Sequence, residues 1–377
     1  MTPPLRVLIH GGGIGGLTLA TALGQRGHRV EVAELRGEPD GVGVGITQPS
    51  NALHALREIG VLADCLAAGF RWEELTLCDP AGRTLAVLPQ PRMAGVPAAN
   101  GIPRPALAAV LGRAAVAAGA RIRFHTTLTE LTEEGEEVKV GLSDGSERRY
   151  DLVVGFDGTG SPLRRRLYGD AFGPEYTGFA AWRVTLPRPD WLRGVLVTSA
   201  DRAAKVSLTP VSDRLMHLAA LSAEAEEFRP DPRRAHRQLA ERLTGIEGPV
   251  AEALAEVTDP AAVVYSRISQ VTVAAPWHVG RVVLAGDAAH ASTPLLAQGA
   301  AMAIEDALVL AESLDAEAEV PAALAAWERR RRPRALWVQA LSRAVLRQET
   351  GTPTTAAEDE LLAIGVPGAA HVLVQPY

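Results

Sequence analysis

The six residues Gly11 to Gly16, GGGIGG, stand between the apolar run LRVLIH (5–10) and the helix-forming stretch LTLATALGQRG (17–27), with HRVEVAE (28–34) beyond. No other stretch narrows the fold so far. A buried strand, a glycine turn, a helix closed at Gly27 by a left-handed cap and a second strand compose one βαβ unit. Gly11, Gly13 and Gly16 spell GxGxxG. Gly11 permits the tight turn, Gly13 lets main-chain N–H groups approach a pyrophosphate, and Gly16 lets helix and strand pack closely. Glu34 ends the second strand. A carboxylate there suits the ribose hydroxyls of an adenosine and repels a 2′-phosphate, so this fingerprint predicts a dinucleotide other than NADPH.

Composition excludes several classes. The chain has 377 residues, 47% apolar and 22% charged, enough for two domains or one large α/β unit. The formal charge of −6 argues against a nucleic-acid or anionic-membrane partner. Cys65 and Cys78 are the only cysteines, which points away from a disulfide framework and toward the cytoplasm. The opening MTPPLRVLIHGGG carries no apolar signal region, and no run approaches the roughly 20 apolar residues of a membrane span, so no stable membrane anchor is expected. The histidines show no zinc-ligand spacing and no G-x-S-x-G elbow occurs, so no metal is expected.

Further along, SNALHALREI predicts a helix at about 50–59 capped by Ser50 or Asn51, and RPALAAVLGRAAVAAG (104–119) another. Residues 120–150 read as a β-meander with SDG (143–145) as a hairpin turn, and YDLVVGFDG (150–158) as a buried strand and turn. Strands alternate from about 175 to 270, with one polar helix around 230–243. A buried strand, RVVLAGD, and helices to about 348 follow.

Two later stretches join the glycine fingerprint: DLVVGFDGTGSPLRRRL (151–167) and GDAAHASTPLLAQGAAMAIEDA (286–307). Together with GGGIGGLTLA, Glu34 and Arg36, they resemble the three ordered motifs of the single-component (class A) FAD-dependent monooxygenases with the p-hydroxybenzoate hydroxylase fold. Weaker echoes are VGVGITQPSNALHALREIG (42–60), Arg104 before a helix, YTGFAAWR (176–183) and WERRRRPRA (327–335). The resemblance implies an α/β fold: a discontinuous Rossmann-like FAD-binding domain (1–70, 97–174 and 271–348), a mostly antiparallel β-sheet substrate domain (71–96 and 175–270) and C-terminal helices, with 349–377 as a tail.

It also implies roles. Asp287 would accept a hydrogen bond from the ribityl chain of FAD, with Gly286 before it. Arg104 would reach the ribityl and pyrophosphate region. Gly45 and Ile46 would lie beside the isoalloxazine, and Asp157 would take part in FAD binding. Ile14, Gly15, Leu35, Arg36 and Leu128 complete the expected cofactor contacts. The main chain of Gly299 and Ala300 would face N1 and O2 of the flavin. Elementary electrostatics agrees: a helix beginning at Gly299 leaves free N–H groups and about half a positive charge at its first turn, where reduced flavin carries negative charge. This chain departs from the family at the loop, with Ala297-Gln298-Gly299 followed by Ala300 and Ala301 where Gly-Gln-Gly, a small residue and Asn are usual. His10 is expected to be partly exposed near the phosphates, His290 to brace its loop, and the RRRR run (329–332) to form a solvated helix face with some packing of arginine stems.

With only one GxGxxG, NADH or NADPH would visit, reduce FAD and leave. The resemblance implies an enzyme that hydroxylates a small electron-rich aromatic or heteroaromatic substrate with O2, through a flavin C4a-hydroperoxide shielded from water. Pro294, with Leu295 and Leu296, would wall the pocket. His217, Tyr176 and Arg183 are candidates for substrate activation. A same-fold flavin reductase or epoxidase and a non-catalytic flavin-binding protein are the alternatives, as monomer or homodimer. A flavin halogenase is disfavoured because no tryptophan pair forms W-x-W.

Overall fold

The computed structural model describes residues 4–37, 44–201 and 204–377, so residues 42 and 43 of the stretch 42–60 lie outside the described part. A six-stranded sheet runs in the order His278–Val279, Val282–Leu284, Leu152–Gly155, Arg6–His10, Arg29–Ala33, Arg121–Arg123. Its neighbours are parallel except for the hairpin 278–284. Val7, Leu8, Ile9, Val153, Val154 and Val283 are fully buried, as expected where helices cover a parallel sheet. Helix Ile14–Gln25 packs between the helices Arg104–Ala117 and Gly299–Ala316. The glycine turn, the Asp157 turn and the Gly286-Asp287 turn all follow the carboxyl ends of strands in this sheet, where ligands bind in open α/β folds.

Two expectations need correction here. Arg121–Arg123 is not part of the meander but the parallel edge strand beside Arg29–Ala33, a pairing that no local pattern announces in three residues. The meander proper is Leu128–Glu134, Glu137–Leu142 and Glu147–Tyr150. Helix Ser50–Glu58 is preceded by Pro49, and neither Ser50 nor Asn51 caps it. The Ser50 hydroxyl instead accepts from the Met93 N–H at 2.8 Å.

A small sheet pairs Ala99–Pro103 with Gly45–Pro49 and Phe70–Trp72. Gly45 lies opposite Pro103, and the Arg104 N–H donates to the Val44 carbonyl at 3.1 Å. This pairing sets Arg104 beside Gly45 and Ile46.

The third unit is a seven-stranded sheet, in the order Val264–Gln270, Glu175–Pro187, Leu215–Ala223, Ala204–Pro210, Val195–Asp201, Glu74–Cys78, Thr84–Pro89. One neighbouring pair, Val195–Asp201 with Glu74–Cys78, is parallel, and the others are antiparallel. Strand alternation divides its residues between two faces. Trp182, Val184, Leu186, Val206, Leu208, Met216 and Leu218 fill a core with helices Ala235–Arg242 and Gly248–Ala255. Arg183 and His217 belong to the opposite face. The helix at 248–255 escaped the sequence reading because Gly248-Pro249 resembles a loop, whereas proline in the first turn suits a helix start.

Helix Val320–Thr350 leads to Ala356–Ala363, closed by a Thr355/Glu358 capping box, and to Gly365–Leu373. No helix among the described residues is long and apolar enough to cross a membrane. Cys65 and Cys78 are free, buried thiols.

Candidate functional site

The glycine turn behaves as its sequence requires. Gly11 has φ +110°, and a side chain there would run into the Phe156 carbonyl. A Cβ on Gly16 would run into the Gly11 carbonyl oxygen, so the helix lies directly on the turn. Gly13 precedes helix Ile14–Gln25, and a Cβ on it would meet nothing within 4 Å. Free first-turn N–H groups therefore look onto open space wide enough for a phosphate. The Glu34 carboxylate accepts from the Gly12 and Arg36 N–H groups, both at 2.7 Å, and keeps further lone pairs for hydroxyl donors. Leu35 is 65% exposed and Arg36 is also exposed, so both lie on the rim.

The structure differs at His10, which is buried rather than partly exposed. Its Nε2 lies 3.0 Å from Thr127 Oγ1 and its Nδ1 lies 3.3 Å from Asp157 Oδ2. Leu128, next to Thr127, is half-buried against the main core. Asp157 Oδ2 also accepts from the Leu163 N–H at 3.0 Å, tying the turn to helix Pro162–Tyr168. Asp157 Oδ1 is buried without a partner among the described residues.

Asp287 opens a one-turn helix, Asp287–His290, directly after the left-handed Gly286. Its side chain is exposed and has no hydrogen bond or ion pair among the described residues. Yet surrounding protein desolvates the carboxyl and raises its pKa, against the nearby charges of His290 and Arg104. An accessible acid so crowded by protein sits in a recess. Water reaches it, but a polyol chain could replace that water and donate hydrogen bonds. Across the recess, Ala297 adopts φ 53°, ψ 29°, and Gln298 leads into helix Gly299–Ala316 without a side-chain cap. The N–H groups of Gly299 and Ala300 therefore lack helical partners. These residues fit FAD: a phosphate turn, an acid for ribose, an unpartnered acid for ribityl hydroxyls and a free helix start for the ring.

Pro294 is exposed, and Leu295 and Leu296 are half-buried and pack toward Leu341, Val345 and Ala369. A surface cleft of about 510 Å³ lined by Trp72, Trp191 and Pro249 shares no residue with this recess.

Of the three activation candidates, two come together. His217 is buried; a Cβ on Gly45 would lie 3.0 Å from its Cβ. Burial first, then the Arg183 charge, push the His217 imidazole down to about 3. Arg183 Nη1 donates to Ser266 Oγ at 2.6 Å. Desolvation and the Arg104 charge lower the Arg183 pKa, and Arg183 forms no ion pair among the described residues. Tyr176 stands seven residues up the strand, roughly 20 Å away at the usual rise, and its hydroxyl donates to the Glu224 carbonyl at 2.8 Å.

One group of residues escaped the sequence reading. The RRRR run is not a uniformly solvated face. Arg329 and Arg330 are exposed, whereas Arg331 is 0% exposed. Its Nε donates to Asp306 Oδ1 at 2.8 Å and its Nη1 to Glu305 Oε2 at 2.7 Å. Asp306 Oδ2 takes the Gly286 N–H at 2.9 Å and lies 2.6 Å from His290 Nε2, so His290 does brace the turn. Burial alone would raise the Asp306 carboxyl, but His290 and Arg331 outweigh it and hold it at about 2. The signal was present in the helical period: Leu324, Trp327, Arg331, Ala335 and Val338 form one buried stripe.

The chain matches the family model described as FAD binding domain over residues 4–342. It is 35% identical over 346 residues to YetM of Bacillus subtilis (strain 168), a provisionally named FAD-dependent monooxygenase, covering 91% of this chain and 93% of that one. It is 33% identical to the aurachin C monooxygenase/isomerase of Stigmatella aurantiaca, covering 87% and 85%. Among solved structures, Klebsiella pneumoniae HpxO complexed with FAD and uric acid superposes with a TM-score of 0.86 at 23% identity, covering 99% and 98%.

Proposed function

The chain belongs to the FAD-binding-domain family of FAD-dependent monooxygenases, and from that premise we propose that it hydroxylates a small heteroaromatic or phenolic compound that binds as an anion. FAD bound in the recess, with NADH or NADPH as transient reductant, supplies the O2 chemistry. The chain's own residues do the rest. Gly13 and the first turn of its helix take the pyrophosphate, Glu34 the adenosine ribose and Asp287 the ribityl chain. Segments 1–70, 97–174 and 271–348 hold the cofactor, while 71–96 and 175–270 cover the substrate. Gly299 and Ala300 turn their N–H groups toward the ring. Two buried thiols fit work in the reducing cytoplasm.

Arg183 carries the substrate reading. Arg183 is half-buried, and a guanidinium that the protein desolvates without a carboxylate partner among the described residues is costly unless a ligand brings negative charge. Arg104 adds to the positive field and His217 stays neutral, so the surroundings of Arg183 favour a phenolate, enolate or heteroaromatic anion. Such an anion is electron-rich at the carbons ortho and para to its ionised oxygen, or α in an enolate, which suits an electrophilic oxygen donor. His217, at about 3, is too weak an acceptor to strip a phenol of its proton. On this reading Arg183 lowers the substrate's own pKa, and no protein base takes that proton. The uric acid bound by the solved relative supports a heteroaromatic ligand.

The test is a screen of NADH and NADPH oxidation against heteroaromatic hydroxy compounds, with product mass measured. Consumption coupled to a product heavier by one oxygen is expected from compounds that ionise near neutral pH. Equal turnover of neutral arenes, or an unchanged KM in Arg183→Met, would overturn the anionic reading.

A further inference from the structure

We propose that the buried Asn51, Glu305 and Arg331, with the half-buried Arg334, form a positioning device for the loop that presents Gly299 to the flavin, and that helix Gly365–Leu373 ties its outer end. The proposal rests on the reading that FAD fills the recess between Asp287 and Gly299.

The loop needs holding. Ala297 stands in the left-handed region, which disfavours an L side chain, and Gln298 offers no side-chain cap to the helix behind it. Gln298 is buried, and its Oε1 accepts from Asn51 Nδ2 at 3.0 Å. The same amide donates to Glu305 Oε1 at 2.7 Å. Glu305 is 0% exposed and is surrounded by donors: Arg331 Nη1 at 2.7 Å, Arg334 Nε at 2.9 Å and Arg334 Nη2 at 3.1 Å. Arg334 Nη2 also donates to the Leu373 carbonyl at 2.8 Å, which joins the last helix to the group.

Arg331 makes the arrangement more than a brace for one loop. Its guanidinium spans Glu305, which reaches Gln298 through Asn51, and Asp306, which holds the Gly286 N–H. Glu305 and Asp306 are adjacent on helix Gly299–Ala316. One buried cation thus ties together the two sides of the recess: the turn carrying Asp287 and the loop carrying Gly299. Burying three charged side chains is costly unless each is paired, and here every oxygen of the two carboxylates has a donor. Asn51 thus supplies a side-chain amide at this loop.

The experiment compares wild type with Asn51→Ala, Arg334→Met, Arg334→Lys and Asp287→Ala. The readouts are FAD dissociation constant, visible band shape of bound FAD, two-electron potential and thermal midpoint. Asn51→Ala should weaken FAD about tenfold, from the loss of the hydrogen bond that holds Gln298, alter the band shape and lower the potential. Arg334→Met should act in the same direction, and Arg334→Lys should restore part of the effect. If Asn51→Ala does not fold, the Arg334 pair decides. Altered midpoints with wild-type affinity, band shape and potential would overturn the proposal, leaving a purely structural group. Loss of FAD by Asp287→Ala beside wild-type behaviour of the other variants defeats this inference alone. Full FAD retention by Asp287→Ala defeats the underlying site.

Discussion

Replacing His217 by Gln should make the protein more resistant to acid, and the size of the effect follows from where the imidazole lies. In the native fold His217 titrates at about 3 against an ordinary 6.5, because burial and then Arg183 oppose its protonation. Below pH 6.5 the unfolded chain binds a proton there that the folded chain refuses. The missing stability is therefore nil above 6.5 and grows as pH falls toward 3. Each unit corresponds to about 1.4 kcal/mol, so the whole window amounts to about 5 kcal/mol and the two units down to pH 4.5 to about 3 kcal/mol. Gln cannot titrate and fills a similar space. Urea unfolding of both proteins in excess FAD, at pH 7.5 and 4.5, isolates this contribution as the change in their stability difference. A shift of about 3 kcal/mol toward the variant is expected. Parallel pH curves, or an NMR titration of His217 near pH 6.5, would refute the buried neutral imidazole and reopen its candidacy as a base. In Arg183→Met the imidazole should climb but stay depressed, since desolvation is the larger cause.

Asp287→Ala should weaken FAD by about 10- to 150-fold, from the roughly 1.5–3 kcal/mol of a hydrogen bond to a charged acceptor, and fluorescence titration would expose unchanged affinity. Gly16→Ala should destabilise the fold by about 1–3 kcal/mol, because the added methyl runs into the Gly11 carbonyl. A wild-type urea midpoint would contradict that contact. Ala297→Gly should be neutral or stabilise by up to about 1.5 kcal/mol. It relieves about 1–2 kcal/mol of left-handed strain against about 0.4–1 kcal/mol of added unfolded-chain entropy. A loss of about 0.4–1 kcal/mol in thermal or urea unfolding, the entropy cost alone, would show that the strain is not there.

What was legible in sequence was backbone geometry. Gly11 and Gly16 occupy places that only glycine fills, one through its positive φ and the other through the Gly11 carbonyl against it, so their spacing was enough. Arg331 was misread because four consecutive arginines look solvated, and only its partners Glu305 and Asp306 make one of them buriable. His10 was misread for the same kind of reason, since Asp157 and Thr127 approach it from distant segments. Strand Arg121–Arg123 owes its place to pairing with Arg29–Ala33, which no local signal encodes. His217 and Arg183 stood in two separate strands, and their shared face became visible only with the register of the seven-stranded sheet.

A crystal structure of the protein grown with FAD addresses the central claim most directly. The account predicts the N1–C2=O edge of the ring within hydrogen-bond distance of the Gly299 and Ala300 nitrogens, and a ribityl hydroxyl on the Asp287 carboxylate. A ring seated elsewhere, with Asp287 still facing water, would contradict it.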